Sequence, residues 1–273
     1  MKIAFQGEPG AYSEGAAYQA LGSECLAVPC RSLKEVFEKV EKGEVERGVV
    51  PIENSIGGSI DDSYDLLLEH QLKIAGETYL PIDHCLLAVP EARLSTIKYA
   101  YSHPQALRQC HQYLHDHGFQ LEPTYDTAGA AKLISNKNNP AKAAVASSLA
   151  ADKYDLKILD RRIQTFEDNV TRFLIIYLSG EGNGEAKEGY KTSLSFKASD
   201  SPGALYRCLE VFAGREINLT LIHSRPHKGK NWEYLFYLDL QGHRRERKVA
   251  EALDELEERV QFLQILGSYP EAH

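Results

Sequence analysis

Asp168-Asn169-Val170-Thr171-Arg172-Phe173, followed by Leu174-Ile175-Ile176-Tyr177-Leu178, places a polar cluster directly before a strand-like apolar run. A hydroxyl beside a guanidinium, at the mouth of a buried strand, suits a site that binds an anion and handles a proton. Taken alone, the hexapeptide reads first as a strand start with a capping Thr. What the rest of the chain brings to that strand decides between the two.

Working upstream, Lys2 to Gln6 reads as a short buried strand, and Gly7-Glu8-Pro9-Gly10-Ala11-Tyr12-Ser13 as a turn into a helix capped by Ser13. Leu26 to Val28 is a second strand. Ser32-Leu33-Lys34-Glu35 is a capping box before the apolar face of Val36, Phe37 and Val40. Gly48 to Ile52 is a third strand, ending in Glu53-Asn54-Ser55-Ile56-Gly57-Gly58-Ser59 before a helix with Tyr64, Leu67 and Leu68. This alternation predicts a mostly parallel sheet covered by helices.

A crossover from Ile74 to about Leu80 leads into a second set of elements. Strands are expected at Cys85 to Val89, Tyr99 to Tyr101, Leu121 to Thr124, Ala143 to Ala146 and Leu156 to Leu159. One helix places Leu107, Cys110 and Leu114 on a single face, Asp126 caps another that runs through Leu133, and Ser147 caps a third. The fold class is α/β with two lobes: lobe one about 1–76 and 160–178, lobe two about 77–159. Several strand-to-helix junctions carry Gly, Ser, Thr or Asn, and such junctions offer helix N-termini to a small anion. Gly7-x-x-Gly10 is not a dinucleotide fingerprint, and no P-loop is present.

The 273 residues are enough for two domains, and 43% hydrophobic with 26% charged residues is ordinary for a globular chain. A formal net charge of −8 argues against nucleic acid and anionic membranes as partners. No apolar run approaches membrane-spanning length, and no signal-peptide segment follows Met1. The five cysteines form no CxxC pair, which suits reduced thiols and a cytoplasmic location. His111, His115 and His117 read as a solvated helix surface, and no metal site is expected.

Ser179 to Lys191 reads as a linker, with four glycines and almost no apolar side chain. Beyond it, a strand with Leu194 and Phe196 leads to a helix opened by Asp200-Ser201-Pro202-Gly203 and carrying Leu205, Leu209 and Phe212. Strands with Leu219 and Leu221, then Tyr234 to Leu240, precede a helix lined by Val249, Leu253, Leu256, Val260 and Leu263, and a last strand from Gln264 to Tyr269. That order is βαββαβ, a ferredoxin-like unit over 192–273.

Four stretches, in order, resemble prephenate dehydratases: Gly7 to Glu14, Val50 to Ser55 with Gly57, Ser102-His103-Pro104-Gln105-Ala106-Leu107-x-Gln109-Cys110, and Asn169-x-Thr171-Arg172-Phe173. Residues 192–273 resemble an ACT regulatory domain through Pro202-Gly203-Ala204-Leu205 and Ser224-Arg225-Pro226. The resemblance implies a periplasmic-binding-protein-like catalytic domain over 1–178 joined to a ferredoxin-like ACT domain. No chorismate mutase segment precedes Met1, so a monofunctional form is expected. His223 stands where the second ACT motif usually begins with Glu.

The implied reaction is decarboxylating dehydration of prephenate to phenylpyruvate in phenylalanine biosynthesis, without a metal or organic cofactor. Hydroxide leaves poorly, so a donor must protonate or strongly hydrogen-bond the departing oxygen. The resemblance assigns that role to Thr171, with Glu53 as a candidate relay. Asn54, Ser55, Ser102 and Gln109 supply neutral donors for substrate, Arg172 pairs with a substrate carboxylate or with Asp168 or Glu167, and Phe173 packs beneath the site. The ACT-like region implies L-phenylalanine as feedback effector, bound around Gly203, Ala204, Leu205, Asn218, Leu219, Ser224 and Arg225, and a homo-oligomer, dimer or tetramer. Competing expectations are an arogenate dehydratase and a non-catalytic amino-acid sensor.

Overall fold

A computed structural model describes residues 1–178, 189–226 and 234–272, which form two compact units, Met1–Leu66 with Thr78–Leu174 and Leu67–Glu77 with Ile175–His273. Most of the expected linker, residues 179–188, lies outside the described residues.

The first unit carries two α/β lobes. Lobe one comprises β1 (Lys2–Gln6), α1 (Tyr12–Leu21), β2 (Leu26–Cys30), α2 (Leu33–Glu41), β3 (Arg47–Asn54), β4 (Gly58–Ser59) and α3 (Asp61–Glu69). Strands β5 (Leu72–Pro81) and β11 (Val170–Leu178) complete its sheet in the order β2-β1-β3-β11-β5, with β4 paired to β3. The crossover expected from Ile74 to Leu80 is therefore a ten-residue strand. Alternating burial of Leu72 and Ile74 identifies its inward face.

Lobe two contains β6 (Cys85–Ala88), β7 (Tyr99–Ser102), α4 (Pro104–Gln109), α5 (His111–Asp116), β8 (Gln120–Pro123), α6 (Thr127–Lys137), β9 (Lys142–Ala146), α7 (Ser148–Lys153) and β10 (Lys157–Asp160). Its sheet runs β10-β6-β9-β7-β8, with β6 antiparallel to both β9 and β10 and β7 parallel to β8 and β9. The sheet is thus mixed, whereas in lobe one, where the alternation of strands and helices predicted parallel pairing, β1 runs parallel to both β2 and β3.

Two local readings change. The single helix expected around Leu107 to Leu114 breaks at Cys110, because the Gln109 carbonyl accepts from the Thr165 N–H at 2.9 Å. Leu107, Cys110 and Leu114 nonetheless share a buried face. Helix α1 begins one residue before Ser13, so Ser13 is not its cap. The buried Glu14 carboxylate reaches back to the Gly10 N–H at 2.5 Å instead, and also accepts from Tyr18 and pairs with Lys153. Ser32, Asp126 and Ser147 cap α2, α6 and α7 as expected.

The second unit takes the Leu67–Glu77 stretch, with the first part of β5, and residues 175–178 of β11, and adds β12 (Tyr190–Lys197), α8 (Ala204–Ala213), β13 (Leu219–Pro226), β14 (Tyr234–Gln241), α9 (Arg247–Arg259) and β15 (Phe262–Pro270). This is the βαββαβ order, with an antiparallel sheet β13-β14-β12-β15. Tyr190 and Lys191, expected in the linker, belong to β12. Lys191 is buried there against Glu77 at 3.0 Å. Phe196, Phe212, Leu238, Leu240 and Leu256 form the centre of its core.

Candidate functional site

A cavity of about 250 Å³ opens in the first unit, walled by residues of both lobes. Lobe one contributes Tyr12 and Ser13 at the start of α1, Asn54 at the end of β3, and Thr171 and Phe173 from β11. Lobe two contributes His84, His103, Gln105, Gln109, Tyr125, Asp126 and Thr127. The loops that meet here follow strand ends, where open α/β sheets gather ligands.

Asn54 is the hub. Its Oδ1 accepts from the backbone N–H groups of Ile56 (3.2 Å) and Gly57 (2.7 Å). Its Nδ2 donates to Asn169 Oδ1 (2.7 Å), Thr171 Oγ1 (2.9 Å) and the Val170 carbonyl (3.2 Å). Gln109 Oε1 faces His84 Nε2 at 2.9 Å and accepts from Asn169 Nδ2 at 3.3 Å. The other His84 nitrogen lies 2.8 Å from the Tyr12 hydroxyl. Burial is the main cause that pushes the His84 pKa down, opposed by its bond to Gln109 and by Asp83. Burial likewise lowers His103, whose Nδ1 accepts from the Gln105 N–H at the start of α4.

None of the described residues lining the cavity is Lys or Arg. Positive potential comes instead from the N-terminal ends of α1 and α6, where Tyr12, Ser13 and Thr127 meet the cavity. Asp126 is the carboxylate among the lining residues, and its Oδ1 accepts from the Gly129 N–H as the α6 cap.

Among the residues singled out from the sequence, Thr171, Asn54, Gln109 and Phe173 line the cavity. Arg172 does not. It is buried, and alternation along β11 turns it to the face opposite Thr171 and Phe173. Glu167 meets Arg162 at 4.0 Å, and the Asp168 carbonyl accepts from Ser55 Oγ. Glu53 is half-buried where β3 pairs with Ser59 of β4, outside the cavity lining. Ser55 lies outside it too: its Oγ bridges the Asp168 carbonyl (2.8 Å) and the Val170 N–H (2.9 Å), tying β3 to β11. Ser102 is fully buried and donates to the Val145 carbonyl at 2.6 Å. Asn169, His84 and Tyr12 belong to the network but were not among the expected site residues. Asn169 and Tyr12 lie inside the quoted motifs, whereas His84 lies outside all four.

In the second unit, Gly203 caps α8 with φ 77°, and Ala204 and Leu205 line a separate cavity of about 210 Å³ with residues 197–201, Tyr234, Phe236 and Gln261. Asn218 donates to Gln241 Oε1, and Leu219, Ser224 and Arg225 pair along β13 with Leu240, Phe236 and Leu235 of β14. These four do not line that cavity. Among the described residues, no cluster of His, Cys, Asp or Glu could hold a metal ion, and no helix is long and apolar enough to cross a membrane.

Comparison with known proteins fits this arrangement. The prephenate dehydratase family profile matches residues 3–180, and the ACT domain profile matches 192–258. The chain is 45% identical to arogenate dehydratase/prephenate dehydratase 2, chloroplastic, of Arabidopsis thaliana, over 99% of this chain and 73% of the relative. It is 40% identical to the bifunctional chorismate mutase/prephenate dehydratase of Aquifex aeolicus, over 100% of this chain and 74% of the relative. Among solved structures, the prephenate dehydratase of Arthrobacter aurescens in complex with L-Phe superposes with a TM-score of 0.91 at 32% identity, covering 99% of this chain and 90% of that one. GqqA, described as a novel type of quorum-quenching acylase, superposes at 0.93 with 34% identity, covering 100% and 98%. The profile match over residues 3–180, together with relatives matched over nearly all of this chain, places the chain in the prephenate dehydratase family of lyases, with an ACT domain following the catalytic region.

Proposed function

We propose that the chain converts prephenate to phenylpyruvate, carbon dioxide and water, under feedback control by L-phenylalanine. The observation that carries this reading is the direction of the hydrogen bond at Thr171. Its Oγ1 accepts from Asn54, so its own proton is free to point into the cavity.

A substrate hydroxyl placed there accepts that proton's hydrogen bond as the ring C–O bond breaks. The carboxylate carbon departs as carbon dioxide, and its bonding electrons pass through the ring to make it aromatic. The leaving hydroxide becomes water by taking a proton, which solvent returns to the site. Thr171 is a weak acid, so its contribution is a hydrogen bond that tightens as negative charge develops on the leaving oxygen. The Asn54 donor polarises the hydroxyl and stabilises charge on it.

The substrate is a dianion, yet the described wall offers no Lys or Arg. The helix N-termini at Tyr12 to Ser13 and at Thr127, with the amide of Gln109, supply partial positive charge. That binds the carboxylates while still allowing a charged product to leave.

A second reading has one specific support. Asp126 in the wall suits an ammonium group, which arogenate carries where prephenate has a keto group. Acyl hydrolysis has less support, because Thr171 is held by Asn54 rather than by a histidine base.

The effector reading draws on the cavity beside Gly203, Ala204 and Leu205, and the ACT domain is the basis for expecting a homo-oligomer. The test is a side-by-side assay of purified protein with prephenate, arogenate and an N-acyl amide, with and without L-phenylalanine. Turnover of the amide alone would remove the dehydratase reading.

A further inference from the structure

We infer that Tyr12 and His84 form a positioning pair that fixes the orientation of the Gln109 amide, so that its NH2 group rather than its carbonyl meets a substrate carboxylate. The inference deepens the proposed function and rests on it, since it assigns Gln109 to the substrate.

The direction of the chain of hydrogen bonds is set at its far end. Backbone N–H groups can only donate, so the Ile56 and Gly57 amides identify the Asn54 atom they meet as oxygen. Asn54 therefore turns its NH2 to Asn169, which must answer with Oδ1 at 2.7 Å. Asn169 is then left with its NH2 toward Gln109, which answers with Oε1 at 3.3 Å. An amide oxygen cannot donate, so His84 carries its hydrogen on Nε2, 2.9 Å away. The His84 side chain is 2% exposed, and burial disfavours the imidazolium. A neutral ring with Nε2–H leaves a lone pair on Nδ1, which the Tyr12 hydroxyl fills at 2.8 Å. The Asp83 carbonyl lies 3.0 Å from the same hydroxyl and is the alternative acceptor.

Both ring nitrogens of His84 are thereby committed, which excludes it as a general acid in this arrangement. The Gln109 NH2 is the group left without a protein partner, in a residue that lines the cavity. A primary amide turned by half a rotation differs only in which atom points where. Of the two contacts that hold Oε1, the one from Asn169 is long, so His84 decides the orientation. The wrong orientation would present lone pairs to an anion. The charge of that carboxylate does not change during the reaction, so the loss falls on binding more than on the chemical step.

The test compares His84→Gln, whose amide nitrogen can take the place of Nε2, with His84→Asn, which is too short to do so, and with Tyr12→Phe. For the substrate that the wild-type protein turns over, KM is expected to rise about tenfold in His84→Asn, with kcat within about threefold of wild type. His84→Gln should recover most of the KM. Proton–nitrogen NMR of the wild-type histidines, which needs neither turnover nor a variant, should show His84 as the Nε2–H tautomer at neutral pH. In Tyr12→Phe that signal should shift toward a tautomer mixture. An Nδ1–H ring or an imidazolium at neutral pH in the wild type overturns the inference. So does equal KM in the Gln and Asn variants. Absence of dehydratase turnover with an Nε2–H ring would count against the proposed reaction alone.

Discussion

The Asn54 side chain donates to the Thr171 hydroxyl oxygen across 2.9 Å, joining residues 117 positions apart on neighbouring strands of one sheet. That bond leaves the Thr171 proton for the cavity. Thr171→Ala is expected to lower kcat by about 10²- to 10⁴-fold, the usual contribution of a positioned proton donor. Substrate binding by calorimetry should change only a few-fold. Full turnover in Thr171→Ala would remove the residue from the role proposed for it.

Gly10 is expected to tolerate no side chain. Its φ is +90°, and a Cβ built there falls 2.6 Å from the Cα of Ala150 in lobe two. Left-handed strain and overpacking add, so Gly10→Ala should destabilise the protein by roughly 2–4 kcal/mol. Denaturant unfolding measures this, and an unchanged midpoint would show that the two segments part easily.

Acid should weaken the first unit through His84. Its folded-state pKa is depressed below the free value of 6.5, so the unfolded chain takes up a proton more readily. The stabilisation from the neutral ring is therefore complete above pH 6.5 and is lost as pH falls through the depressed folded value. The thermal midpoint should drop on acidification from neutrality, and less steeply in His84→Gln than in wild type. Parallel curves for the two proteins would contradict this.

The Lys191–Glu77 pair in the second unit has side chains 5% and 0% exposed, with Glu271 at 3.5 Å from the same ammonium. Removing the ammonium takes the paired opposite charge at 3.0 Å away from a buried carboxylate. Lys191→Met is expected to cost about 3–5 kcal/mol, and the double change Lys191→Met with Glu77→Gln to cost clearly less. A double-mutant cycle on unfolding free energies reads this directly, and additive costs would argue that the pair is not coupled.

L-Phenylalanine at millimolar concentration is expected to inhibit turnover and to bind the isolated protein by calorimetry. Gly203 holds φ 77° at the cap of α8, next to the cavity lined by Ala204 and Leu205. Gly203→Val should distort that cap, so the ratio of activity with and without phenylalanine should move toward one. Inhibition that persists undiminished would place the effector elsewhere.

Much of the fold was legible because its signals are local. Ser32, Asp126 and Ser147 cap helices from one turn away, and alternation in Leu194–Phe196 and Leu238–Leu240 marks strands whose inward faces meet in one core. The failures came where a distant partner intervened. Thr165 takes the Gln109 carbonyl and divides the helix that periodicity predicted as one. Helix α1 starts after Ala11 without a side-chain cap, and Glu14 in its first turn takes the Gly10 amide where Ser13 was expected to cap.

By itself, the sequence determined most of the order of elements, the strand that carries Thr171, and the presence of Asn54, Gln109 and Thr171 on three separate elements of one region. It could not decide which of the expected polar groups face the cavity. Ser102 satisfies the Val145 carbonyl, Ser55 staples β3 to β11, and the pleat of β11 sends Arg172 to the side away from Thr171. Nor could it show that His84, 25 residues from Gln109 and 72 from Tyr12, stands between them. Helix and strand periods repeat over a few residues and can be read along the chain. A buried polar group instead takes whatever partner the packed lobes bring within 3 Å, and only the tertiary structure decides that.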